Sequence, residues 1–407
     1  MESIQSRCII VGGGPAGMML GFLLARAGVE VVVMEKHADF FRDFRGDTIH
    51  PSTLELMHEL GLLEEFLQQP HQETHELRGT INGQLVPIAD FSRLPTRCKF
   101  IAFMPQWDFL NFLSGHAKQF PTFQLRMQNK VTDLLLENGR VSGVRVTTPQ
   151  GELEARADLV VGADGRDSTV RDRAGLETLE FGVPIDVLWM RISKRTGDPE
   201  QTLGFFQHGK LLVLLDRGDY WQCGVVIPKG GFEQIQARGL AAFHDYIASV
   251  VPFLRERVSE LDDWSKIRLL TVQINRLREW CRQGLLCIGD AAHAMSPAGG
   301  VGINLAIQDA VATANLLAEK LRQGPVALED LRKVQRRREW PTRLIQRLQV
   351  FIHRRITGQA SPERSKSKLP FLVRLLRYFP TLRQIPARFI GLGPRPEHVH
   401  SPSLITK

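Results

Sequence analysis

The chain has 407 residues, of which 43% are hydrophobic and 24% charged, so it is long enough for two or three domains of ~150 residues around a large buried core. This balance excludes disordered, collagen-like and disulfide-scaffold classes, and five scattered cysteines with no CxxC pair exclude a zinc ribbon or a dithiol redox centre. The formal net charge of +8 is unevenly placed: from Asp330 onward there are 18 Lys/Arg against 4 Asp/Glu, which leaves −6 on the first 329 residues and a basic tail suited to an anionic surface or partner.

The opening segment reads strand, turn, helix, strand. Cys8–Val11 is a short run of apolar, mostly β-branched residues, Met18–Ala25 suits a buried helix, Gly28 suits its stop, and Val29–Met34 forms a second apolar strand ending at Glu35. Between them stands Gly12-Gly13-Gly14-Pro15-Ala16-Gly17, a GxGxxG. Gly12 allows the tight turn, Gly14 lets a pyrophosphate approach the backbone, and Gly17 lets helix and strand pack closely. The N–H groups of the following helix face the phosphates, and Glu35 stands where an acid accepts hydrogen bonds from a ribose diol. An acid there favours an unphosphorylated ribose, hence FAD or NAD over NADP.

Residues from about 40 to 66 read as a loop and then a helix beginning near Pro51, and residues from about 74 to 103 as strand and turn. Asp108–His116 returns to helical spacing, and Val131–Val146 reads as paired strands about Asn138-Gly139. The strand Asp158–Gly162 delivers Asp164-Gly165 at its carboxyl end, where ligands bind in open α/β sheets. Residues of roughly 180–275 read as short strands and turns. The strand Leu285–Ile288 then delivers Gly289-Asp290-Ala291-Ala292-His293. After it, Pro297-Ala298-Gly299-Gly300-Val301-Gly302-Ile303-Asn304 opens a long helix to about Arg322. Asp290 is placed to bind a ribityl hydroxyl, the glycines let a flat ring lie against the backbone, and the helix start offers N–H groups to a reduced, anionic ring. His293 reads as a structural histidine rather than a base.

The strands of one nucleotide-binding sheet are therefore scattered, and the residues between them form an inserted domain. The expected fold is α/β, a Rossmann-like FAD-binding domain with an inserted, mainly β substrate domain and a helical C-terminal tail. Residues 1–73, 104–180 and 276–328 are assigned to the FAD-binding domain, 74–103 and 181–275 to the substrate domain, and 329–407 to the basic tail.

The ordered trio of glycine segments, over about residues 7–325, resembles the FAD-dependent aromatic hydroxylase family, the para-hydroxybenzoate-hydroxylase-like group A flavoprotein monooxygenases. The resemblance implies FAD held by Gly12, Gly14, Pro15, Ala16, Gly17, Glu35 and the adjoining Lys36. It implies further contacts from Asp164, Gly165, Gly289 and Asp290, with Gly302, Ile303 and Asn304 at the isoalloxazine. Arg45 matches the family's mobile flavin-loop arginine, Gln106 a polar residue on the FAD chain, and Val131 the residue whose backbone meets the adenine. Arg45, Pro297 and Gly299 are the candidates beside the reacting ring.

The implied activity is a monooxygenase that takes hydride from NADH or NADPH, a transient co-substrate because no second GxGxxG exists. It forms a flavin C4a-hydroperoxide from O₂ and hydroxylates or epoxidises a small organic, aromatic or polyketide-like substrate. Two alternatives stay open: an FAD oxidoreductase without oxygen insertion, and a flavin-retaining assembly partner. Trp221-Gln222-Cys223-Gly224-Val225-Val226-Ile227-Pro228 lacks the spacing of the flavin-halogenase signature.

With only three tyrosines the chain offers no evident tyrosine pair to activate a phenol, and Trp189, Arg191, His208 and Gln222 are weighed as pocket residues against ordinary sheet positions. The apolar run Lys210–Leu215 favours an apolar or polyketide-like substrate over a small carboxylate. In the tail, Trp340, Leu344, Ile345, Leu348, Phe351 and Ile352 lie among arginines at helical spacing. Two readings remain for it: helices packed on the FAD domain with a solvated basic face, or peripheral contact with an anionic membrane. Nucleic acid is not expected, because no recognised module accompanies the charge. With no basic N-terminal leader and no uninterrupted apolar stretch of membrane-spanning length, the expectation is a cytoplasmic protein, alone or at a membrane surface, monomer or homodimer.

Overall fold

A computed structural model of the chain describes residues 3–41, 48–81, 83–199, 203–207, 209–358 and 371–404. Its first sheet has eight strands. Leu285–Cys287, Gly151–Gly162, Ser3–Val11, Val31–Met34 and Phe123–Arg126 lie side by side in that order, all parallel. Parallel strands are covered on both faces and so read as continuous apolar runs; Val31–Met34 is buried at every position. The Pro15–Arg26 helix packs between the Gln106–Ala117 and Val301–Gln323 helices, and its residues 16–25 are all buried. The outer half of Gly151–Gly162 pairs instead with an antiparallel hairpin, Lys130–Glu137 and Arg140–Thr148. Asn138 and Gly139 turn that hairpin with φ of 50° and 77°, the backbone a two-residue turn of matching twist demands.

The second sheet has seven strands, with Ile185–Ser193, Tyr220–Pro228, Lys210–Asp216 and Leu203–Gln207 at its centre. Side chains alternate across it. One face sends Leu188, Met190, Ile192, Leu212, Leu214, Trp221, Cys223 and Val225 into a core closed by the Gly239–Val250 helix. That helix and its shorter neighbour Phe232–Ala237 lie in a region that reads from the sequence as strands and turns. Phe243, Ile247 and Val250 recur at helical spacing and are buried against the sheet, so tertiary packing set the structure there.

The chain connects the two sheets through a small three-stranded sheet, Thr48–Ile49, Ile101–Phe103 and Gln72–Thr74. Glu76–Ile81 and Gln84–Asp90 then join the edge of the seven-stranded sheet, Glu76–Ile81 pairing with Leu203–Gln207 in parallel.

The tail begins with the 31-residue helix Leu328–Gly358 and ends by folding back over the first sheet, where the Leu404 N–H donates to the Arg26 carbonyl at 3.0 Å. A buried charge network ties this tail to the core. The Arg338 guanidinium, fully buried, donates to Asp309 at 3.0 Å and to Glu397 at 3.1 Å, and Arg337 caps Glu397 from outside at 2.9 Å. Burial raises the Asp309 carboxyl, but His293 and Arg338 outweigh it and hold the group below the usual carboxylate range. Removing one partner of a buried ion pair costs about 3–5 kcal/mol, so the network pins helix, core and C-terminal segment together.

Candidate active site

The three glycine segments meet along the carboxyl edge of the parallel strands. Gly12 has φ +107°, and a methyl group there would sit on the Ala163 carbonyl, so the first motif turns directly against the second. Gly289, in the third, lies against the first and the Val301–Gln323 helix: a methyl there would come within 3.2 Å of both the Ala16 and Ala306 side chains. Arg166, two residues after Asp164, reaches Asp290 at 3.5 Å and the Thr271 carbonyl at 3.4 Å, which brackets the second and third motifs and the edge of the second sheet.

Several positions along this edge are open. A methyl at Gly14 or at Gly165 would meet nothing within 4 Å. Between buried Ser296 and buried Val301 the residues Pro297, Ala298, Gly299 and Gly300 surface, and Gly302 is half-buried. The Pro15–Arg26 and Val301–Gln323 helices both begin at the edge with no side-chain cap and no acidic residue in the first turn. Their first N–H groups and partial positive charge are thus available to anionic or carbonyl oxygens. Open backbone at Gly14, two uncapped helix starts and an acid at a strand end fit the phosphates, ring and ribose of FAD.

The side chains are less free than the backbone. Glu35 is buried and accepts from the Gly13 N–H at 2.9 Å and the His37 N–H at 3.0 Å, so its carboxylate braces the glycine turn. Asp164 accepts from the Ser168 hydroxyl at 2.5 Å and the Val170 N–H at 3.1 Å; burial nonetheless raises its carboxyl above the ordinary value. Asn304 is spent internally. Its Oδ1 accepts from the His50 N–H at 2.9 Å and the Thr53 hydroxyl at 2.7 Å, and its Nδ2 donates to the Thr48 and Gly300 carbonyls. It locks the helix start onto the Thr48–Ile49 strand, so a ring beside it would meet its backbone and not its amide. Gly300, at φ +62°, makes the same junction, where any side chain would strike Thr48.

Lys36 is exposed just past the second strand, Gln106 is half-buried at the start of its helix, and Val131 is buried on the first hairpin strand opposite Val146. Ile303 is buried in the main core. His293 is buried and 2.6 Å from Asp309, a structural partner in the charge network. Arg45 and His208 lie outside the described residues.

Three residues absent from the sequence reading hold the open segment in place. From the inner face of the Leu328–Gly358 helix, Gln349 Nε2 donates to the Ser296 and Ala298 carbonyls at 3.0 and 3.1 Å, and its Oε1 accepts from the Ser296 N–H at 3.1 Å. Gln346 Nε2 donates to the Asn275 and Ala294 carbonyls at 2.6 and 3.1 Å. His353 Nε2 lies 2.8 Å from Ser296 Oγ, and burial lowers its pKa, which favours the neutral ring. The signal was available: Thr342, Gln346, Gln349 and His353 form a polar stripe at steps of four, three and four in the stretch 342–355, otherwise apolar or basic.

The second sheet turns its other face away from its core. Register across four strand pairs aligns Trp189, Gly224, Val213, Gly204 and Gly79 in one row. The Trp189 ring lies over Gly224, within 2.9 Å of where a methyl would stand, and a methyl at Gly204 would meet nothing within 4 Å. Gly204 thus leaves a shallow trough, between the Trp189 ring over Gly224 and Ile88 Cδ1, 3.2 Å from where a methyl at Gly79 would stand. The apolar row Val187, Val226, Leu211, Phe206 and Ile81 borders it on one side, and Arg191, Gln222 and Leu215 on the other. Leu211, Val213, Val226 and Phe206 are only half-buried. The Trp189 indole N–H is buried without an acceptor among the described residues.

Residues 5–347 match the family described as the FAD binding domain. The chain is 34% identical over 383 residues to 6-methylpretetramide 4-monooxygenase of Streptomyces rimosus, covering 92% of this chain and 91% of that protein. It is 31% identical to rifampicin monooxygenase of Streptomyces venezuelae over 74% of this chain, and the match spans 62% of that longer protein. Its fold is similar to the crystal structure of p-nitrophenol 4-monooxygenase PnpA from Pseudomonas putida, with a TM-score of 0.73 at 20% identity, covering 97% of this chain and 100% of that one.

Proposed function

The chain belongs to the FAD binding domain family and is an FAD-dependent monooxygenase, and from that premise we propose that its substrate is a planar, fused-ring aromatic or polyketide-type molecule lying in the glycine trough. The observation that carries this is the aligned row Trp189, Gly224, Val213, Gly204 and Gly79, a flat apolar floor open at Gly204. A compact carboxylate has no use for such a floor, whereas stacked rings bury their faces on it and gain roughly 25 cal/mol per Å² of apolar area removed from water. The unpartnered Trp189 N–H supplies one donor for a substrate carbonyl or hydroxyl. The names of two relatives, with 6-methylpretetramide and rifampicin as substrates, support the class.

In this reading the cofactor domain comprises residues 1–73, 104–180 and 276–328. Gly12 to Gly17 and the helix start at Pro15 hold the FAD pyrophosphate, Glu35 the ribose, the Val131 backbone the adenine, and Gln106, Asp164, Gly165, Gly289 and Asp290 the linking chain. Bound FAD supplies hydride acceptance from NADH or NADPH and the activation of dioxygen. The protein's part is positional. The N–H groups of Gly302, Ile303 and Asn304 stabilise negative charge on the ring, Pro297 and Gly299 border its reacting edge, and Gln349 and Gln346 keep that border from shifting.

Alizarin, a planar tricycle, and para-hydroxybenzoate serve as binding probes, followed by flavin absorbance in the holoenzyme. Alizarin should bind and the monocycle should not. Gly204→Phe, which fills the trough where space is open, should weaken alizarin roughly tenfold or more while FAD content stays unchanged. Unaltered alizarin binding in that variant would remove the trough from the substrate site.

A further inference from the structure

The Leu328–Gly358 helix buries Leu331, Val334 and Ile345, but from Arg338 onward its inner face is mainly polar and a second apolar row faces out. A surface helix of a soluble protein turns its apolar stripe to the core and its polar face to water. Here Arg338, Thr342, Gln346, Gln349 and His353 are buried, while Trp340, Leu344, Leu348 and Ile352 stand outward with 55%, 37%, 39% and 39% of their surface exposed. Those four recur every fourth residue and form one row. Arg336 continues that row one turn earlier, and beside it run Arg343 and Arg347, all exposed. The inward choice has a reason: Gln346, Gln349 and His353 are committed to the backbone of residues 275–298, which leaves the apolar row no direction but solvent.

We propose that this outward row is a docking surface for an anionic lipid bilayer, with Trp340 and the aliphatic side chains entering the headgroup boundary and the arginines meeting lipid phosphates. Charge complementarity carries the choice. The tail from Asp330 onward holds 18 basic and 4 acidic residues. The carboxylates along this helix are already engaged: Glu329 with Arg336, Asp330 with Lys320 and Lys333, Glu339 with Arg276 and Arg343. A second copy fits poorly, because a two-fold contact sets a patch against itself and would bring arginine row to arginine row. A convex helix with an apolar row and an arginine flank has the form of an interfacial membrane helix.

The test is co-sedimentation of the purified holoenzyme with phosphatidylcholine vesicles, with and without phosphatidylglycerol. Binding should require phosphatidylglycerol and fall roughly tenfold or more on raising salt to about 0.5 M, where charges are screened within a few ångströms. Trp340→Ser with Leu344→Ser, and separately Arg343→Gln with Arg347→Gln, should each abolish it while FAD content and NAD(P)H oxidation persist. Holoenzyme left in the supernatant with anionic vesicles at low salt would overturn the proposal. So would equal binding by the variants, or self-association lost in Trp340→Ser without vesicle binding, which would assign the row to a second copy.

Discussion

Gly12 and Gly14, two residues apart, do different work. Gly12 takes a left-handed backbone and packs on Ala163, so it is needed by the protein itself; Gly14 faces open space, so it is needed by whatever lies there. Gly12→Ala should therefore lower the melting temperature of the cofactor-free protein, by roughly 1–3 kcal/mol of strain and displacement. Gly14→Ala should leave that temperature unchanged and weaken FAD retention, measured by flavin release on dilution. An equal loss of apo stability in both would mean Gly14 is only part of the turn. Both glycines were legible in the sequence because the motif records a backbone requirement. The engagement of Asn304 was not: whether an amide faces a ligand or its own strand depends on Thr48, His50 and Thr53, more than two hundred and fifty residues away.

At the scale of elements, the Leu328–Gly358 helix is where sequence and structure part. Its amphipathicity was plain, but amphipathicity does not say which residues go inward, and from Arg338 onward mainly polar ones do, beside Pro341 and Ile345. The deciding factor is the segment from Ala294 to Ala298, whose carbonyls need donors that the Gln346 and Gln349 amides supply. Replacing Gln349 with Leu leaves the Ser296 and Ala298 carbonyls and the Ser296 N–H without their partner, at about 1–3 kcal/mol for each buried group left unpaired. The expected outcome is a protein that still binds FAD and oxidises NAD(P)H but releases more hydrogen peroxide per turnover, while Gln349→Glu, which sets an acceptor-only carboxylate against the same two carbonyls, is affected at least as much. Unchanged coupling in Gln349→Leu would confine that residue to stability. The Gly239–Val250 helix went unread for the opposite reason: its apolar spacing is evident only once the surrounding strands no longer dominate the pattern.

For the whole molecule, charge and chemistry are segregated. The acidic body holds both sheets and the glycine edge, the basic tail wraps the third motif, and the Arg338, Asp309 and Glu397 network joins them. The discontinuous sheet was recoverable because three separate strand-to-glycine exits announce one carboxyl edge; the trough was not, because a row across four strands exists only in the register of their pairing. The measurement closest to the central claim gives purified holoenzyme NAD(P)H, isotopically labelled dioxygen and a planar phenolic polycycle selected by its stimulation of NAD(P)H oxidation. The product should carry one oxygen atom from the labelled gas. A product whose new oxygen comes from water, or one with no added oxygen at all, would contradict the account.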